Sequence, residues 1–100
     1  MAYLIQYQLV VHDSKYRELL NVIEHTLSKE LPKKCIDRMA YQSITNMNVF
    51  KYSEKWSDLE SLEQNLESIE FKTLQGAFKL LCSKNNLLIM EARDVRDYSS

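Results

Sequence analysis

FKYSEKWSDLESLEQNLESIEFKTLQGAFKLL, residues 50–81, is the stretch whose reading decides the fold. Phe50, Tyr52, Glu54 and Trp56 alternate with Lys51, Ser53 and Lys55, which predicts a strand with one largely aromatic face and one polar face. Ser57 stands three residues before Glu60, the spacing of a capping box, and Leu59, Leu62, Leu66 and Ile69 follow at helical intervals. Ser68 then caps a second helix whose apolar stripe is Phe71, Leu74, Phe78 and Leu81. The stretch therefore reads as a strand, a capped helix, a break and a second helix.

Outward from it, residues 35–45 and 48–56 read as two strands joined around Thr45–Asn48, an antiparallel hairpin. Residues 2–12 form a first strand with Tyr3, Ile5, Tyr7, Leu9 and Val11 on one face and Leu4, Gln6, Gln8 and Val10 on the other. Asp13 or Ser14 caps a helix carrying Tyr16, Leu19, Leu20, Ile23, Leu27 and Leu31 on one side, and Pro32 ends it. A polar turn is expected at Ser83–Asn86, then a last strand over Leu87–Val95 and a frayed tail over 96–100. The order β-α-β-β-α-β predicts a single ferredoxin-like α+β domain over 1–100, with a four-stranded antiparallel sheet and its second helix broken in two.

Composition narrows the function. The chain has 100 residues, 45% of them hydrophobic, with a formal charge of −1. That is a globular balance with no basic stripe, so nucleic acid is not an expected partner. The N-terminus lacks a positive signal-like region and no apolar run approaches a membrane span, so no membrane partner is expected. Cys35 and Cys82 are far apart with no CxxC partner, which fits reduced thiols in a cytoplasmic protein. Gly76 is the only glycine, which excludes a Gly-rich phosphate loop. Inside a helix it costs about 1 kcal/mol against alanine, so close packing around it is expected to compensate.

Candidate chemistry is sparse. His12 and His25 read as solvated side chains, and Glu24 beside His25 points in another direction, so no metal site is expected. Cys35 follows two lysines, but no histidine is placed by the sequence as its base. Glu54 and Glu91 lie on strands, where a salt bridge is the expected role for each. Tyr52 and Trp56, opposite Phe71 and Phe78, either wall a pocket for a flat organic molecule or fill the core.

Glu54-Lys55-Trp56, Ser57-Asp58 and Ser68-Ile69-Glu70-Phe71 together resemble the antibiotic-biosynthesis-monooxygenase family, over nearly the whole chain. The resemblance implies a dimeric α/β barrel and cofactor-independent oxidation of quinols or phenols by O₂. Where many members have a histidine before a leucine in the first helical segment, this chain has Asn65 before Leu66. Polyketide oxygenases pair the tryptophan with asparagine and tyrosine at positions that are Tyr52 and Leu62 here. Haem-degrading relatives use positions that match Tyr7, Trp56 and Gln75, and glutamine is not a normal haem ligand, so no haem is expected. The resemblance leaves Trp56, Asn65 and Tyr52 as the groups that position and polarise a substrate, with Tyr7, Phe71, Gln75 and Phe78 lining its site.

A homodimer is also expected from the first strand, because both of its faces are partly apolar and the helices can cover only one. Three functions compete: a monooxygenase, a non-catalytic protein that binds an aromatic or lipidic ligand, and a structural dimer that fills its own pocket.

Overall fold

The computed structural model describes residues 1–92. Strand β1 (Ala2–Val11) leads through a 3-10 turn at Asp13–Lys15 into helix α1 (Tyr16–Ser28). Strands β2 (Cys35–Gln42) and β3 (Val49–Trp56) form the hairpin, followed by helices α2 (Leu59–Leu66) and α3 (Ile69–Leu81) and strand β4 (Cys82–Ala92). All pairings are antiparallel and the sheet order is β2-β3-β1-β4. This is the expected ferredoxin-like arrangement, with the second helix broken at Glu67–Ser68. The part of the last strand expected over 93–95, and the tail over 96–100, lie outside the described residues.

Period-two alternation fixes which side of each strand meets the helices. Ile5, Tyr7, Leu9 and Val11 of β1 and Phe50, Tyr52 and Trp56 of β3 are buried against Leu19 and Ile23 of α1 and Phe71, Leu74, Phe78 and Leu81 of α3. The other face carries no helix. Across it run the rows Asp37–Lys55–Leu4–Met90 and Met39–Ser53–Gln6–Leu88. Met39 and Leu88 are exposed there, and Leu4, Gln6, Gln8 and Val10 are half-buried.

Several local expectations need correction. Neither Asp13 nor Ser14 caps α1 with its side chain, because Asp13 instead accepts a hydrogen bond from Asn48 Nδ2 in the hairpin loop. Helix α1 stops at Ser28, before Pro32, where Ser28 Oγ donates to the His25 carbonyl and Lys29 turns extended. Asp58, not Ser57, caps α2: its carboxylate accepts from Ser61 N at 2.8 Å, which holds its pKa below the usual carboxylate value. The polar segment Ser83–Asn86 is strand rather than turn, since Lys84, Asn85 and Asn86 pair with Val10, Leu9 and Gln8. Pairing with β1 overrides the turn propensity of those side chains. Gly76 sits on the exposed side of α3, and a Cβ there would meet no atom within 4 Å, so no close packing explains it. Ser68 does cap α3, accepting from Phe71 N at 3.1 Å.

Candidate functional site

A carboxylate on the aromatic face of β3 organises the helix-covered side of the β2/β3 edge. Glu54 is 3% exposed, and a buried charge persists only where partners replace its water. Its two neighbours on the same strand face supply the first of them. The Tyr52 hydroxyl donates to Oε2 at 2.5 Å and the Trp56 indole N–H donates to Oε1 at 3.1 Å. From α2, Asn65 Nδ2 donates to the same Oε1 at 3.1 Å. Burial, followed by the nearby Glu54 charge, pushes the Tyr52 pKa well up, so this phenol stays protonated and remains a donor.

The counter-charge comes from β2. An irregularity between Cys35 and Asp37 inserts one residue into the pairing, so Arg38 lies directly opposite Glu54. Arg38 Nε is 3.7 Å from Glu54 Oε2, an ion pair rather than a hydrogen bond, and both side chains are largely buried. Its Nη1 donates to the Thr26 carbonyl at 3.3 Å and the Lys29 carbonyl at 3.4 Å. Thr26 lies in the last turn of α1 and Lys29 just beyond it, an end where a cation is favoured, and the Thr26 carbonyl also accepts the Lys29 N–H at 3.3 Å. Arg38 thus ties that helix end to the sheet.

Above this pair lies a cavity of about 500 Å³, the size of pockets that take organic ligands. Arg38 and Glu54 form its floor, Asn65 joins from α2, and Val22, Phe71, Leu74 and Ala77 supply apolar wall. His25, Lys29, Glu30 and Glu70 are exposed on its rim. The break between the helices sets the Asn65 position, because Ser68 N and Oγ both donate to the Asn65 carbonyl, at 3.0 and 2.7 Å. With Nδ2 turned to Glu54, the side-chain carbonyl of Asn65 is left to accept from a ligand.

The sequence-derived candidates separate into three groups. Asn65 and Phe71 line the cavity. Trp56 borders a second, more open depression of about 430 Å³ with Lys33 and Lys34, and this depression shares Asn65 and Pro32 with the cavity. Tyr7, Tyr52, Gln75 and Phe78 line neither one. Phe78 packs edge-on against Tyr7 at 4.9 Å and Tyr52 at 5.9 Å, and burial raises the Tyr7 pKa, partly offset by the Gln75 side chain.

Sequence reasoning did not single out Arg38, and it read His25 as merely solvated. The available signal for Arg38 was Glu54 itself, since a carboxylate on an aromatic strand face demands a cation. Glu91, the other strand carboxylate, is exposed. Cys35 and Cys82 are free and buried, which raises each thiol to about 11 and leaves neither suited to nucleophilic chemistry. Among the described residues, no group of three or more His, Cys, Asp or Glu is placed to hold a metal ion, and no helix is long and apolar enough to cross a membrane.

Solved structures share this fold. A candidate antibiotic biosynthesis monooxygenase from Deinococcus radiodurans superposes with a TM-score of 0.84 at 14% identity, over 95% of this chain and 96% of that one. A structure described as an antibiotic biosynthesis monooxygenase aligns at 0.71 and 16% identity, over 93% of this chain and 99% of that one. Its fold is that of the antibiotic biosynthesis monooxygenases. A conserved protein from Methanosarcina mazei Go1 has the same fold at a TM-score of 0.76 and 26% identity, over 93% and 94% of the two chains. No family model and no curated protein matches the chain. Within the monooxygenase fold, the Glu54 cluster and its cavity occupy the space between sheet and helices on the β2/β3 side.

Proposed function

We propose that the protein is a cofactor-independent monooxygenase that oxidises a quinol or phenolic compound with O₂. The observation that carries the proposal is the cavity itself, an apolar chamber whose floor holds a fixed carboxylate–guanidinium pair and whose Asn65 side-chain carbonyl can accept from a ligand hydroxyl. Phe71 offers a wall for a flat ring. The substrate supplies every electron. A phenol that becomes a para-quinone consumes one O₂, keeps one oxygen atom and releases the other as one water. Trp56 and Tyr52 act indirectly, by holding the Glu54 carboxylate in place.

A second reading has its own support. Three donors and Arg38 occupy the oxygens of Glu54, so the floor recognises a ligand without offering a free base. A non-catalytic protein that binds an aromatic ligand would need no more. Oxygen consumption with a panel of quinols and phenols separates the two. Uptake above autoxidation, with one quinone formed per O₂, is expected; binding of the same compounds without uptake would leave only the binding protein.

We also propose a homodimer closed through the uncovered sheet face. Its mixed rows of aliphatic and amide side chains support a self-complementary surface, with glutamines bonding across it. Sedimentation at low micromolar concentration should give a single species of twice the chain mass, and a monodisperse monomer would refute the dimer.

A further inference from the structure

Oxidising a phenol by O₂ starts more easily from the phenolate, so the cavity needs somewhere to put a proton. The floor does not provide it. Glu54 is engaged by three donors and a guanidinium, the Tyr52 hydroxyl is already committed to Glu54, and the Asn65 amide takes no proton. The groups left are on the rim. Lys29 is a cation, and Glu30 and Glu70 are carboxylates. A carboxylate is a poor acceptor for a phenolic proton, since their ordinary pKa values lie about six units apart, and an imidazole closes roughly two of those units.

We propose that His25 is the proton acceptor for a hydroxyl carried into the cavity. The inference rests on the cavity being a site for hydroxylated aromatics. The phenolic O–H bond breaks, an N–H bond forms on the imidazole, and a phenolate–imidazolium pair results with no change in oxidation state. Two features of the fold favour that pair. His25 lies in the last turn of α1, where the helix carbonyls stabilise a cation. It lines the cavity from α1 together with Val22 and Thr26, whereas Asn65 lines it from α2. A ring bound between them can give one hydroxyl to each. The charged groups around the imidazole are Lys29 and Glu30 beyond the end of α1, Arg38 on β2, Glu54 on β3 and Glu70 on α3. Arg38 and Glu54 offset each other, and the remaining three are exposed and screened.

The probe is 3-nitrophenol near pH 7, where the free compound is protonated and only its phenolate absorbs in the visible. Bound to the wild-type chain it should show the phenolate band, and bound to a His25→Gln variant it should show the phenol. His25 is exposed, so the substitution leaves the fold intact. In parallel, the His25 ring resonance, identified by its loss in the variant, should move to the imidazolium position as the wild type is titrated with probe. A resonance that stays in place while the probe binds would overturn the assignment, as would identical bound spectra for the two proteins. Failure of the wild type to bind any phenol would instead overturn the reading of the cavity, and the assignment with it.

Discussion

At the β1 end of the sheet–helix interface, Tyr7, Leu9 and Phe78 are buried in the core and line no cavity; at the β2/β3 end, the same helices stand off the same sheet around a 500 Å³ cavity. The difference lies in what each end buries. Aliphatic and aromatic side chains have no preferred contact direction and collapse until the space is filled. Glu54 and Arg38 need specific directions instead, and those partners keep β2, β3 and α2 at fixed positions. Arg38 also anchors the end of α1 through its last carbonyls, so the helix is tied at that point rather than packed down. Tyr52 joins the two regimes, with its ring against Phe78 and its hydroxyl on Glu54. A polar cluster inside an apolar layer thus makes a chamber without lengthening the chain.

The comparison is broken most severely from the closed end. Phe78 is fully buried, so Phe78→Ala should cost about 4 kcal/mol, read as a shift of the urea midpoint at unchanged slope. The equivalent change at Phe71, which has the cavity on one side, should cost less because fewer neighbours are lost. Equal losses would mean that the cavity collapses around Phe71.

The polar end should respond through charge rather than volume. Glu54→Gln leaves Arg38 buried without a counter-ion and should destabilise by about 3 kcal/mol in the same assay. Adding Arg38→Met should recover a large part of that loss, since the pair is then removed as a unit. Additive losses in the double variant would show that the two side chains are energetically independent.

How much of this was legible in the sequence depended on whether alternation held. Phe50, Tyr52, Glu54 and Trp56 follow strict period two, and the face they define is the buried one. Ser68 and the Phe71–Leu81 stripe likewise announced α3. In β2 the extra residue between Cys35 and Asp37 breaks the parity, so counting from Cys35 puts Arg38 on the wrong side of the sheet. That is why the carboxylate was visible and its partner was not. His25 was hidden differently: it is exposed, as its helix position implies, yet it lines a cavity that residues of α1, α2, α3 and the sheet enclose together. Ser83–Asn86 failed because strand pairing with β1 outweighs a turn-like composition.

A smaller effect tests the helix break that places Asn65 beside Glu54. Ser68 caps α3 and donates to the Asn65 carbonyl, so Ser68→Ala should cost about 1 kcal/mol. Because the break also orients Asn65, the variant should weaken phenol binding more than its stability loss explains. A Ser68→Asp variant keeps a cap acceptor but cannot donate to that carbonyl. It should restore stability without restoring binding; recovery of both would remove the link to Asn65.

The smallest effect should raise stability and leave the cavity untouched. Gly76 lies on the outer side of α3, with α-helical backbone and nothing within 4 Å of an added Cβ. No turn, positive φ or close approach requires a glycine there. Alanine would reduce the freedom of the unfolded chain and add a better helix former, so Gly76→Ala should stabilise by roughly 0.5–1 kcal/mol. Phenol binding should be unchanged, because the neighbouring Ala77 and not Gly76 lines the cavity. A destabilised variant would mean that the outer side of α3 is covered in solution, and a substitution at Lys72 or Lys79, also exposed on α3, would then test the same contact without altering backbone entropy.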